Sequence, residues 1–128
     1  AVAIAAVASA AMPWWSAAEV RAGREDLAAG RVAEAADRAD SARARNPVAL
    51  GPLRLLGDAA ADAGDYGRAL GAYEEMTRVQ PDNPASWRAL AALAELLGDR
   101  DRATAAWREV VRLDPLDPRA RAGAASSR

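Results

Sequence analysis

The chain has 128 residues, of which 52% are apolar, and a formal net charge of −1 from 17 arginines set against 18 acidic residues. It contains no cysteine, histidine, lysine or phenylalanine, which removes disulfides, a thiol nucleophile, the commonest zinc ligands and the usual near-neutral general base. The interspersed charges offer no basic field for phosphates, so nucleic acid is excluded as the main partner; the alanine-rich apolar fraction favours one domain of closely packed helices over strands.

Residues 1–15 form a run without charge that ends in Met12-Pro13-Trp14-Trp15. As a helix this run would span roughly 22 Å, short of the ~20 residues a membrane crossing needs. The chain begins with alanine rather than methionine, which leaves room for an upstream portion. Three readings stay open for this leader. It is the end of a transmembrane helix, with Trp14 and Trp15 as an interfacial belt; an apolar helix capping the first repeat, which begins at Ser16; or a signal-peptide remnant, since Ala8-Ser9-Ala10 fits a small-x-small cleavage pattern although no basic segment precedes it. Next, Ser16 with Glu19 three residues on has the spacing of a capping box, which predicts a helix starting near Ala17.

From there the chain is written in a period of 34 residues. Gly30, Gly64 and Gly98 recur at one position, Ala35, Ala69 and Ala103 at a second, and Pro47, Pro81 and Pro115 at a third. Tyr73 matches Trp107, and Val79 matches Leu113. The repeats are 16–49, 50–83 and 84–117, and a period of this size marks a solenoid. Each holds two helices. Leu53, Leu56, Gly57 and Ala60 form one apolar stripe, and Ala69, Leu70, Tyr73, Met76 and Val79 form the next. The glycine suits a tight turn between helices and the proline ends the second one. The first repeat is degenerate, with Glu19 where the others have Leu53 and Trp87, and Asp26 where they have Ala60 and Ala94. Its second helix, about 31–45, offers only Ala35, Ala39 and Ala42. Residues 118–128 contain no large apolar side chain and are expected to be a frayed tail.

Leu53, Leu56, Gly57, Ala60, Gly64, Tyr66, Ala69, Tyr73, Met76 and Pro81, and again Trp87, Leu90, Ala91, Ala94, Gly98, Ala103, Trp107, Val110 and Pro115, carry a resemblance to the tetratricopeptide repeat family. The resemblance implies an all-α, tetratricopeptide-like solenoid of three antiparallel helix pairs, preceded by the apolar helix. It implies a protein-interaction scaffold with no catalytic site, no cofactor and no metal of its own. In stacked pairs the concave surface comes mainly from the first helices. The residues off the buried stripe there are Val20, Arg24 and Leu27, then Arg54, Asp58 and Asp62, then Arg88, Ala92 and Glu95. They are the candidate groove for a protein or peptide partner, with the open C-terminal face as the other candidate surface. Repeat domains that clamp a chaperone's C-terminal carboxylate use lysine and asparagine in this groove. Here the asparagine positions hold Asp58 and Ala92, and lysine is absent, so that role is not expected.

More loosely, the apolar end followed by a degenerate repeat and two clean ones resembles the C-terminal region of bacterial O-antigen ligase or polymerase-like membrane proteins. That resemblance implies a membrane-associated chain with a transmembrane helix, membrane contact through residues 1–15, and repeats lying outside the cytoplasm. Any glycosyl transfer would then belong to an upstream part. Within the chain itself the paired acids Glu74-Glu75, and Asp99 with Asp101, do not converge as an opposed catalytic pair would.

Overall fold

The computed structural model describes the backbone of residues 2–126 and the side chains of residues 14–126. Among these the only regular elements are helices: α1 (Val2–Ala28), α2 (Val32–Arg45), α3 (Leu50–Asp62), α4 (Tyr66–Val79), α5 (Pro84–Leu96), α6 (Arg100–Leu113) and α7 (Pro118–Ala125). This is the all-α, tetratricopeptide-like solenoid class that the repeat predicts. The chain divides into two compact units, residues 1–69 and 70–128. In the first, α1 packs on α2 and both pack on α3; in the second, α6 packs on both α5 and α7.

Helix ends recur with the sequence period. Gly30, Gly64 and Gly98 have φ of 76°, 78° and 73°, a region in which a side chain would strain the backbone. Each closes the preceding helix with the same two bonds. Gly64 N–H donates to Ala61 O (3.0 Å) and Asp65 N–H to Ala60 O (2.8 Å), and the pairs at Gly30–Arg31 and Gly98–Asp99 repeat this. Orphan carbonyls at three helix ends are satisfied in this way. Of the helices that follow, α4 and α6 start on aspartate caps, Asp65 accepting from Arg68 N–H (3.0 Å) and Asp99 from Arg102 N–H (3.1 Å), whereas α2 starts at Arg31 without a side-chain cap. Helix α7 is capped by Asp117, which accepts from Ala120 N–H (2.9 Å). Pro84 and Pro118 occupy first-turn positions where a missing N–H costs nothing.

In the first unit the core is fine-grained. Ala35, Ala39 and Ala42 are fully buried, and Leu53, Leu55 and Ala59 complete the interior. Ser16 does not cap a helix. The helix already runs through it, and its buried hydroxyl donates across to Ala42 O of α2 (3.3 Å). A capping box needs a non-helical residue at the serine, and α1 is continuous on both sides.

The degenerate positions of the first repeat turn out to be an ionic network. Arg31 Nε and Nη2 donate to Asp26 Oδ1 (2.9 and 2.7 Å), and Arg38 Nε donates to Oδ2 (2.6 Å). Arg38 also reaches Glu19 Oε2 (3.3 Å), and Arg45 reaches Glu19 Oε1 (3.2 Å). Thus charge joins α1 to the second half of its pair at two positions, Glu19 where the later repeats have Leu53 and Trp87 and Asp26 where they have Ala60 and Ala94. The hydrogen bonds from Arg31, then Arg38, hold the Asp26 carboxyl below the usual aspartate range. A carboxylate whose pKa is depressed on folding adds stability above its unfolded pKa, and that stability is lost as pH falls through the folded value. The urea midpoint is therefore expected to fall on acidification from about pH 6 to about pH 3. Asp26→Asn should start lower and show a shallower fall. Asp26→Ala, although it restores the residue of the other repeats, should also destabilise, because Arg31 and Arg38 remain behind without their acceptor. An Asp26→Ala protein as stable as the parent at neutral pH would contradict this.

Two expectations are corrected. The expected transmembrane helix and membrane-associated localisation are overturned: among the described residues no helix is long and apolar enough to cross a membrane. Helix α1 runs past the uncharged leader and through Glu19, Arg21, Arg24, Glu25 and Asp26, and packs on α2 as the first helix of a pair. The side chains of residues 1–13, including the Ala8-Ser9-Ala10 pattern, lie outside the described residues. The expected frayed tail is a helix over Pro118–Ala125, capped by Asp117 and with Ala120 fully buried. It packs on α6, so the C-terminal face of the last pair is partly covered.

Candidate functional site

The candidate residues fall on the first helices α1, α3 and α5, and the structure gives them different tasks. In the first unit, Val20 is 9% exposed and its Cγ atoms sit over Gly51, 3.5 Å from where a Cβ there would stand. It belongs to the seam between α1 and α3 rather than to a projecting surface. Arg24 is exposed and Leu27 half-buried. Arg54 Nε donates to Asp58 Oδ1 and Oδ2 (2.9 and 3.1 Å), an i,i+4 pair that braces α3, and Asp62 is exposed at the end of the same helix.

In the second unit the charged candidates are engaged. Arg88 Nε donates to Asp117 Oδ2 and its Nη2 to Asp114 Oδ2, both at 2.7 Å. Glu95 Oε1 accepts from the Trp107 indole N–H (2.7 Å), and its Oε2 accepts from Arg119 Nη2 (3.1 Å). The Arg119 guanidinium also lies over the Trp107 ring, 5.2 Å from its centroid, a cation–π geometry. Arg88 and Glu95 thus fasten α7 to α5 and α6. Asp117 is held below the ordinary carboxylate range, first by the Ala120 N–H and then by Arg88. Ala92 is half-buried.

An open cavity of about 570 Å³ lies beside this latch, lined by Glu95, Arg100, Thr104, Trp107, Gly123 and others. In the first unit a second cleft of about 450 Å³ has Arg21, Arg24, Val20, Gly51 and Pro52 in its walls. Arg21 was not among the residues singled out from sequence. Its three-residue spacing from Arg24 was the available signal, since the two share a helix face. The acids weighed as a catalytic pair are dispersed: Glu74 faces Arg102 (3.3 Å) and Asp99 caps α6. Among the described residues no group of His, Cys, Asp or Glu side chains is arranged to hold a metal ion.

The family model described as tetratricopeptide repeat matches residues 20–84 and again residues 54–118. No curated protein matches the sequence. Among solved structures, the fold is similar to the first repeat domain of Spaghetti bound to the HSP90 peptide SRMEEVD, with 14% identity over 85% of this chain and 86% of that one and a TM-score of 0.76. It is similar to the Arabidopsis OM64 TPR domain at 14% identity, 86% and 91% coverage and a TM-score of 0.74. A thermophilic TPR protein of Thermus thermophilus is 24% identical over 87% of this chain and 62% of that one, with a TM-score of 0.73. At these identities the likeness is one of fold.

Proposed function

The chain belongs to the tetratricopeptide repeat family, and from that premise we propose that it is a protein-interaction scaffold, holding a protein or peptide segment against its first helices and performing no chemistry of its own. The observation that carries this reading is the doubled family match across residues 20–118. The repeats keep the boundaries 16–49, 50–83 and 84–117 within this proposal. In the first unit Arg24, Leu27, Arg54, Asp58 and Asp62 make the contact surface, with Val20 in its wall. In the second, Ala92 is offered to the partner while Arg88 and Glu95 hold the framework.

The Spaghetti domain supports a peptide as the partner class, but the chemistry of a chaperone C-terminus does not transfer. With Asp58 and Ala92 at the asparagine positions and no lysine in the chain, the terminal carboxylate of such a peptide would find no clamp. The more specific reading, a tail of an O-antigen-ligase-like glycosyltransferase, has no residue in its support and is not carried forward.

The test is selection of peptides from a random display library on the full chain, followed by calorimetry and NMR shift mapping. Binders with micromolar Kd are expected to perturb α1, α3 and α5 more than α2, α4 and α6. Failure to select any binder, or perturbations confined to the second helices, would defeat the scaffold reading.

A further inference from the structure

Helix α1 carries a stripe that its own fold leaves unused. Trp14, Ala17, Arg21 and Arg24 are spaced three, four and three residues apart and so share one face. Trp14 is 80% exposed. A cleft of about 520 Å³ runs between Trp14, Ala17, Ala18 and Arg21, and Ala17 and Arg21 also line the 450 Å³ cleft that reaches Gly51 and Pro52 of α3. The two hollows therefore adjoin along a single helix face, with an exposed indole at one end and the half-buried Gly51, over the buried Val20 and Pro52, at the other.

The charges of α1 are sorted by face. Glu19 and Asp26 are taken up by Arg31, just before α2, and by Arg38 and Arg45 within it. Arg21 and Arg24 have no carboxylate within ion-pair distance among the described residues, and neither has any further interaction. Glu25 is exposed and pairs with neither of them. Two planar cations beside a bare indole and a small apolar hollow complement carboxylates that flank an apolar side chain. A chain of net charge −1 with only two free cations here does not suit a polyphosphate backbone.

We propose that this stripe is a docking site for an acidic segment of a protein partner: Arg21 and Arg24 take side-chain carboxylates, while the exposed Trp14 ring and the exposed Ala17 beside it take the apolar residue between them. This rests on the scaffold reading and names the partner's chemistry and the surface that reads it.

The probe is a fluorescein-labelled, C-terminally amidated dodecapeptide with leucine at every third position and glutamate elsewhere, titrated into the full chain and followed by anisotropy. The same peptide with glutamine for glutamate should bind about tenfold or more weakly. Arg21→Ala and Arg24→Ala should each weaken the glutamate peptide by about five- to tenfold, and Arg24→Lys should recover part of the loss. Trp14→Ala should weaken both peptides, and Arg78→Ala, an exposed arginine of α4, should change nothing. All these positions are exposed, so melting temperatures should stay at the parent value. Equal affinity for the two peptides, an equal loss in Arg78→Ala, or binding that requires a free terminal carboxylate overturns the proposal. So does adsorption to phosphatidylglycerol vesicles without peptide binding. If library-selected peptides bind but ignore Arg21 and Arg24, this docking site falls and the scaffold reading stands; if no peptide binds at all, both fall.

Discussion

Trp107→Ala is expected to cost the unit of residues 70–128 about 3–5 kcal/mol, the usual range for deleting a buried aromatic side chain. Trp107 is 1% exposed and is held from three sides. Glu95 accepts its N–H, Arg119 covers its ring, and Gly123 of α7 lies against it. A Cβ on Gly123 would stand 2.6 Å from both Cγ and Nε1 of the indole, inside any tolerable contact. Gly123→Ala must therefore push α7 away or displace a ring that is pinned by a hydrogen bond, at about 1–3 kcal/mol. The two substitutions act on one contact, so the double variant should lose less than the sum of the single losses. Urea midpoints and the amide-exchange protection of residues 118–125 would measure this. Full protection of α7 in Gly123→Ala, or strict additivity, would show that the helix is not seated on the indole.

The second large effect is expected at the crossing of α1, α2 and α3. Leu55 is 1% exposed, and its side chain fills the place a Cβ at Gly23 would take, with Arg38 Cβ only 3.3 Å from that point. Leu55→Ala should cost about 2–5 kcal/mol through lost transfer energy and the cavity left behind. Gly23→Ala should cost about 1–3 kcal/mol by overpacking, even though alanine is the better helix former. The sign of the double variant is the informative part. With Leu55 shortened, the methyl group at position 23 enters the vacated space, so Gly23→Ala in the Leu55→Ala background should be neutral or stabilising. A penalty unchanged between the two backgrounds would mean that backbone effects, rather than the Leu55 contact, set the cost at Gly23.

Such totals are a large share of the 5–15 kcal/mol that typical domains possess. They concentrate at two close contacts, Leu55 against Gly23 and Trp107 against Gly123; Gly23 lies one period before Gly57 of the apolar stripe, whereas Gly123 lies beyond the last repeat. The turn glycines, Gly30, Gly64 and Gly98, have open space where a Cβ would stand. Their requirement is conformational, and the positive φ supplies the whole reason for it.

Much of the architecture could be read along the chain because its causes are local. Proline position, a glycine able to take positive φ, and the spacing of apolar residues each act within a few positions, and together they define helices, turns and the 34-residue period. What the chain by itself could not reveal were the partners of side chains far apart in sequence. Asp26 looked like a flaw in an alanine slot, yet Arg31 and Arg38 complete it. Arg88 and Glu95 looked like groove residues, yet they bind Asp114, Asp117, Trp107 and Arg119. Ser16 had the spacing of a cap, and only the uninterrupted course of α1 made it an interior residue bonded to α2. Residues 118–125 lack a large side chain of their own, and the large group comes from α6, with Gly123 supplying the space for it. Periodicity and backbone preference belong to the sequence, while tertiary structure decides which charges are spent inside the fold and which, like those of Arg21 and Arg24, stay available, because that depends on which faces of distant helices are brought within hydrogen-bonding reach.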